Sequence, residues 1–515
     1  MNDADRIVIA PDDAYNRALV EQVHPTGWVN PRPSGRYNLV VIGAGAAGLI
    51  TAAIAAGLGA KVALIERHLM GGDCLNIGCV PSKALLRAAR AWADLDRAEE
   101  FGVTPAAGGR RDFGVVMARV RKLRAAISPA DSAHRYKQLG VDVFIGEGVF
   151  TANDRVEVGG QTLTFAKAAI CTGGRAALPD IPGLKEAGFF TNETIFSLIA
   201  LPPRMAVIGG GPIGCEMAQA FSRFGSQVSL LQDESRILPQ EDEDAARFVV
   251  GAMDGPPGGV TFLCSARVVR VEGRGAAKVI YYEQAGAARE VCVDAILVAT
   301  GRAPNVEGLG LDRAGVAYDH RRGVHVNTHL QTTQPRIYAA GDICSAYKFT
   351  HMADALAQIV IQNALFPHPL GLGLARADRL VVPWCTYTDP EVAHVGLNAQ
   401  TAQALGMAVE AFTTPLGEVD RAVLDGNSAG FARLYVQKGT DRIVGATLVA
   451  AHAGEMIGEV TVAMRNGLGL KALGGTIHPY PTQAEAIRKA ALIWRKRQFS
   501  DGAKRWLKRG FAWMR

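Results

Sequence analysis

Apolar and β-branched residues in this 515-residue chain first gather in an unbroken run, YNLVVIG at 37–43. The run shows no polar alternation, which predicts a strand buried on both faces of a parallel sheet. GAGAAG and an alanine-rich helix follow, and AKVALIE supplies a second buried strand ending on Glu66. Strand, glycine turn, helix and strand make one βαβ unit. The same order recurs in RMAVIGGGPIGCEMAQAFSRFGSQVSLL. Past about residue 380 the pattern changes. VPWCTYTDPEVAHVG, FARLYVQKG and RIVGATLVA read as strands at hairpin spacing, followed by an AGEMIGEVTVAMRNG helix. Residues 1–36 read as an extension that ends in the turn-rich HPTGWVNPRPSGR.

The glycines give the two βαβ units a chemical meaning. Gly43, Gly45 and Gly48 stand in GxGxxG register, with Glu66 23 residues beyond Gly43. Such glycines permit a tight turn and let amides at a helix N-terminus approach a pyrophosphate, while the acid takes ribose hydroxyls. Gly209, Gly211 and Gly214 repeat the register. The expected fold is therefore α/β: two Rossmann-like dinucleotide-binding domains plus a C-terminal α+β domain. Two such folds suggest two dinucleotides, one fixed and one exchanging. After the second strand comes QDES, where Asp233 and Glu234 repel a 2′-phosphate and Gln232 can bond a ribose hydroxyl. Arg236 keeps NADPH open; NADH is favoured.

Composition narrows the classes. Hydrophobic residues are 49% and charged residues 20%, as in a globular enzyme and unlike a disordered chain. Apolar stretches are broken by Gly, Pro or charge before they reach membrane thickness. MNDADRIVIA lacks a basic start and apolar core, so no signal peptide is expected and the cytoplasm is the expected compartment. From residue 488 onward ten Lys or Arg face one acid, Asp501, so the net charge of +6 belongs to the tail. Nothing in the body prepares a groove for nucleic acid.

Eight cysteines in a chain this long do not make a secreted disulfide framework. Cys171, Cys215, Cys264, Cys292, Cys344 and Cys385 are scattered in apolar settings and read as small buried hydrophobes. Cys74 and Cys79, inside GGDCLNIGCVPSK, are the exception. On a regular helix, positions i and i+5 are about 7.5 Å apart along the axis and face apart. A disulfide needs Cα atoms roughly 4.4–6.8 Å apart, so the segment must bend. Gly71, Gly72 and Gly78 allow the bend, and Pro81 suits the first turn of the helix that follows. A metal half-site would need further Cys or His at short spacing, and none is nearby.

The ordered set GAGAAG, GGDCLNIGCVPSK, GGGPIGCE, ATGRAPN, YAAGD, YTDPEVAHVG and HPYPTQAE resembles the class I pyridine nucleotide-disulfide oxidoreductases. That family includes glutathione reductase, dihydrolipoamide dehydrogenase and mercuric reductase, and the likeness runs from about Tyr37 to Lys489, closest to the mercuric-reductase-like branch. The resemblance implies an FAD-binding domain at 37–170 and 305–378, an NAD(P)-binding domain at 171–304 and a dimerisation domain at 379–489. It implies FAD on Gly43, Gly45, Gly48 and Glu66, with Gly148 against the adenine and Asp342 on the ribityl chain. The nicotinamide dinucleotide falls to Gly209, Gly211, Gly214 and Gln232, and Gly301, within ATGRAPN, closes that domain. Cys74 is implied to attack substrate and Cys79 to touch the flavin, with Lys83 and Glu216 paired beside it. The implied assembly is a homodimer in which each site borrows HPYPTQAE from the partner.

This chain departs from the family pattern at several positions. Disulfide reductases of the family usually end His-Pro-Thr-x-x-Glu, the His serving as acid and base. Counting back from Glu485 reaches Tyr480, with His478 two residues earlier. Mercuric reductases also place Tyr here. A phenol is a poor base at neutral pH but a usable ligand or hydrogen-bond donor. The odds thus move towards a metal ion or another thiol-reactive acceptor, with His478-assisted disulfide exchange as the alternative. Mercuric reductases, however, carry a C-terminal Cys pair, and here the last cysteine is Cys385. No GMTCxxC module is present either. Pro212 stands where the family often has a gating aromatic, and His351 in KFTHMAD is a candidate proton donor near the flavin end. The tail, 490–515, places Trp506, Leu507, Gly510, Phe511 and Met514 on one helical face. Its basic residues lie largely elsewhere, which suits an anionic membrane surface, an acidic partner or its own body.

Overall fold

The computed structural model describes residues 7, 9–104, 111–254 and 259–515. The chain divides into two compact units. One comprises residues up to Gly209, Arg223–Leu231 and Arg267–Arg379; the other comprises Gly210–Ser222, Gln232–Ala266 and Leu380–Arg515.

In the first unit the expected buried strand is Arg36–Ile42, with Leu39, Val40 and Val41 fully buried. It lies between the parallel strands Val62–Glu66 and Gln161–Ile170. Asp142–Ile145 extends the sheet in parallel beyond Val62–Glu66. Gln161–Ile170 is long enough to serve two neighbours. Its start pairs antiparallel with Arg155–Val158 and its end pairs parallel with Ile337–Ala339. The return of residues 337–339 to this sheet makes the fold discontinuous in sequence. The helices Ala46–Gly57 and Thr350–Leu365 pack together. A core of Tyr37, Phe144, Phe150, Phe165 and aliphatic side chains fills the sheet's other side. Burying each such side chain is worth roughly 1.5–3 kcal/mol. Arg204–Ile208, Gln227–Leu231 and Ala295–Val298 form the parallel strands of the second βαβ unit.

The N-terminal extension is more than a linker. Asp13 caps a helix, Ala14–Val23, that the turn-rich reading did not anticipate. Beyond it, Trp28 Nε1 donates to Val143 O at 3.1 Å, and Asn30 makes paired bonds with Ile145 at 2.8 and 2.9 Å. The extension thereby covers the outer strand Asp142–Ile145, one of the ways proteins protect a sheet edge.

The second unit holds an antiparallel five-stranded sheet. Its order is Pro383–Thr386, Glu391–Gly396, Ile443–Ala450, Phe431–Gln437 and Val409–Pro415. Val409–Pro415 carries too little alternation to be read from sequence. The helices Ala453–Arg465 and Glu485–Arg497 pack onto this sheet over a core centred on Phe412, Leu434, Leu448 and Val460. The helix Pro212–Arg223, all but its last residue in this unit, is pinned to YTDPE. Gln219 bonds both the amide and the carbonyl of Asp389, at 2.8 and 2.9 Å. The last helix, Asp501–Trp513, buries none of its residues. Among the described residues no helix is long and apolar enough to cross a membrane.

Candidate active site

The cysteine segment bends where the glycines allowed it. A short helix, Gly72–Asn76, carries Cys74, and a long one, Cys79–Asp96, begins at Cys79 with Pro81 in its first turn. Gly78 lies between them, and a Cβ there would stand 2.8 Å from Asp73 O. The break brings the thiols together. The Cys74 thiol is pushed well up, first by a hydrogen bond with Cys79 and then by burial. Cys79 Sγ lies 3.3 Å from Thr350 Oγ1. Lys83 stands one turn further along the same helix, partly buried. Glu216 belongs to the second unit, where it is buried and accepts from the Tyr387 amide at 2.9 Å.

The residues predicted for a fixed dinucleotide form a cradle. Gly43 has φ +100°, and a Cβ at Gly48 would collide with Gly43 O. Gly45 faces open space apart from Gly72 Cα, 3.7 Å from where a Cβ would sit. Glu66 caps the turn: its oxygens accept from the amides of Ala44 and His68 at 2.7 and 2.8 Å. Burial raises its carboxyl, and those amide bonds oppose the shift. Gly148 lies over the strand ends, where a Cβ would press on Ile65 and Ile42 at 3.1 and 3.3 Å. Asp342 accepts from Arg302 Nε at 3.1 Å, and burial raises its carboxyl despite that partner.

Arg302 lies within ATGRAPN, a motif that does not announce its contacts. Its guanidinium bonds Asp342, Gly174 O at 3.0 Å, and Asp73, the residue beside Cys74. One arginine thus joins the predicted ribityl anchor to the cysteine loop. The signal was present, since an arginine between two motif acids invites pairing, but the pairing is non-local. Asp73 and Thr350 were missed for the same reason.

The second glycine turn repeats the first. Gly209 has φ +111°, and a Cβ there would stand 2.5 Å from Ala299 O. Gly211 has nothing within 4 Å of a Cβ position, and Gly214 is buried in the helix. Gln232 Oε1 accepts from the Gly210 amide at 2.8 Å, the counterpart of Glu66 on Ala44. Both acceptors lie 23 residues after the first glycine. Arg236 spends its guanidinium on the carbonyls of Leu238, Pro239 and Glu241, at 2.7, 2.7 and 2.8 Å. Gly301 sits at φ +124° and its carbonyl accepts from Ala177.

At HPYPTQAE both ring nitrogens of His478 are engaged. Nε2 lies 2.8 Å from Glu459 Oε1 and Nδ1 lies 3.2 Å from Thr476 O, with the side chain 7% exposed. Tyr480 is 70% exposed and donates to Asp420 Oδ2 at 2.7 Å. Glu485 opens the helix that follows, with Oε2 buried and without a hydrogen-bond partner. His351 is exposed and stacks on Phe349, with ring centroids 5.3 Å apart. Of the remaining cysteines only Cys171 and Cys215 are wholly buried. Cys264, Cys344 and Cys385 are half-buried, and Cys292 is exposed on the largely exposed strand Ala287–Val293, which corrects the expectation of burial for these residues. Among the described residues no cluster of His, Cys, Asp or Glu is arranged to hold a metal ion.

Residues 37–357 match the family described as pyridine nucleotide-disulphide oxidoreductase, and residues 382–491 match its dimerisation domain. The chain belongs to this family. It is an FAD-dependent oxidoreductase that uses NAD(P)H. A mercuric reductase of Staphylococcus aureus is 34% identical over 90% of this chain and 83% of its own length. A dihydrolipoyl dehydrogenase of Chlamydia muridarum is 34% identical over 89% of this chain and 96% of its own. The solved Cu(II) complex of the HOCl-induced flavoprotein disulfide reductase RclA from Escherichia coli is 29% identical. It superposes with a TM-score of 0.75, covering 88% of this chain and 98% of its own.

The cradle yields a direct test. Gly48→Ala drives a methyl group into Gly43 O, so the purified variant is expected to carry less than about a tenth of the wild-type flavin. Flavin absorbance per polypeptide measures this, and wild-type loading would exclude the cradle.

Proposed function

We propose that this enzyme passes electrons from NADH through FAD to the Cys74–Cys79 pair and from there to a thiophilic metal ion. The observation that carries the acceptor class is Tyr480. An exposed phenol stands where disulfide reductases of the family place their histidine. His478, the alternative base, is committed through both nitrogens and largely buried. A neutral phenol does not take a thiol proton at neutral pH, but its oxygen can ligate a soft cation. The mercuric reductase relatives and the Cu(II)-bound relative are in keeping with this reading.

Within it, Gly43, Gly45, Gly48, Glu66, Gly148 and Asp342 hold FAD, which when bound supplies the two-electron carrier between a nicotinamide and a disulfide. Gly209, Gly211, Gly214 and Gln232 receive the nicotinamide dinucleotide, with Gly301 at the domain's close. Gln232 offers a ribose-bonding group, and Arg236 is spent on carbonyls, so NADH is favoured over NADPH. Lys83 and Glu216 are the charged residues assigned to tune the flavin. Cys74 meets the acceptor and Cys79 the flavin. Tyr480, with Glu485 behind it, completes the partner's site in a homodimer, and HPYPTQAE comes from the dimerisation domain.

A second reading concerns placement. The Asp501–Trp513 helix leaves Trp506, Phe511, Trp513 and Met514 exposed among Lys504, Arg505, Lys508 and Arg509. We infer a cytoplasmic enzyme held peripherally on an anionic membrane surface by this helix.

Two experiments separate these readings from their rivals. NADH- and NADPH-driven assays on Hg(II), Cu(II), lipoamide and glutathione disulfide should show turnover with a metal ion and preference for NADH. Tyr480→Phe should lower metal turnover about tenfold or more, and His478→Ala should have a smaller effect. Lipoamide turnover abolished by His478→Ala and untouched by Tyr480→Phe would reverse the assignment. In liposome flotation, full-length protein should rise with anionic but not zwitterionic vesicles, and a chain ending at Gln498, which keeps the packed helix Glu485–Arg497 whole, should rise with neither. Equal recovery of both chains removes the membrane reading.

A further inference from the structure

Tyr480 is held by a carboxylate that no motif announces. Its hydroxyl donates to Asp420 Oδ2 at 2.7 Å, an O–H to carboxylate bond of the charge-assisted kind. Asp420 begins the short helix Asp420–Leu424. The preceding segment is tied to the same C-terminal helix region a second time, by Lys489 Nζ donating to Glu418 O at 2.6 Å. Residues 416–424 and 480–489 are therefore fastened at two points. Glu485, the acid inside HPYPTQAE, is not the residue that holds the phenol.

The consequence follows from counting donors and lone pairs. A phenol has one hydrogen to give and lone pairs to receive with. Asp420 takes the hydrogen, which fixes the hydroxyl rotor, while the ring stays 70% exposed. We propose that Asp420 is the positioning residue of Tyr480, holding the phenol's only donor so that its oxygen lone pairs face outward to receive a thiophilic cation. The proposal rests on the metal-ion reading above. The titratable groups acting on the phenol are Asp420 and Glu485, both acids. The bond to Asp420 and its charge, with Glu485 adding, keep the phenol protonated to higher pH than an ordinary tyrosine. The same two negative charges favour a cation at the oxygen.

The test is a double-mutant cycle on the flavin-loaded dimer, with NADH as donor and Hg(II) as acceptor. Asp420→Asn should raise the KM for Hg(II) about tenfold with a smaller effect on kcat, since a charge-assisted bond that orients a ligand is lost. Asp420→Glu should restore most of the effect. In the Tyr480→Phe background Asp420→Asn should add nothing. Independently, the ring-carbon NMR signal of Tyr480, assigned by its loss in Tyr480→Phe, should titrate at lower pH in Asp420→Asn than in wild type. If wild type turns over only a disulfide, the metal-ion reading fails, and the cycle is run on that disulfide while the NMR titration still judges the pair. A Tyr480 signal that titrates identically in Asp420→Asn, or kinetic effects that simply multiply in the double variant, would overturn the proposal.

Discussion

The geometry of this site depends on one backbone break, at Gly78. Two cysteines five positions apart cannot meet on a continuous helix. Here the short helix ends, Gly78 passes close beneath Asp73, and the long helix restarts at Cys79. A side chain at 78 would press on Asp73 and Cys74 and push the thiols apart. From this break the other contacts extend outward. Asp73 is gripped by Arg302, Arg302 grips Asp342, and Cys79 rests against Thr350 at the start of a helix packed on Ala46–Gly57. The cysteine loop is thus fastened to the same elements that form the glycine cradle. A redox pair must stay within reach of its electron source, and this bracing supplies that.

The two glycine turns show one device built twice with a different charge. In each, the residue that ends the second strand (Glu66) or directly follows it (Gln232) accepts a hydrogen bond from the amide just after the first glycine. Glu66 performs this as a half-buried carboxylate steadied by two amides; Gln232 does it as a buried neutral amide. A carboxylate at that place favours free ribose hydroxyls and opposes phosphate, whereas a neutral acceptor opposes phosphate less. At the second turn discrimination therefore falls to the neighbours. Asp233 and Glu234 are exposed acids, and Arg236 is turned into its own loop.

Local chemistry was legible in the sequence; long-range pairing was not. The buried strand at 37–43, both glycine turns and the bend at the cysteines each follow from residues adjacent in the chain, and each stands where it was read. Arg302, Asp420 and Glu459 act through partners tens to hundreds of residues away, which no period or spacing encodes. The helix Ala14–Val23 was hidden by the turn residues after it, although Asp13 is an ordinary N-cap. Val409–Pro415 pairs along a strand whose exposure does not alternate cleanly, so its pattern was too weak to read. At Tyr480 sequence counting found the departure, and the structure supplied its partner.

The central claim is that electrons from the nicotinamide come to rest on Cys74 and Cys79. The most direct measurement is an anaerobic thiol count on the oxidised enzyme before and after one equivalent of NADH per protomer. The account predicts two new titratable thiols per protomer in wild type, located by alkylation and peptide mapping at Cys74 and Cys79, and none in Cys79→Ser. Reduction by NADH with no gain in thiols, or with the gain at other cysteines, would contradict it.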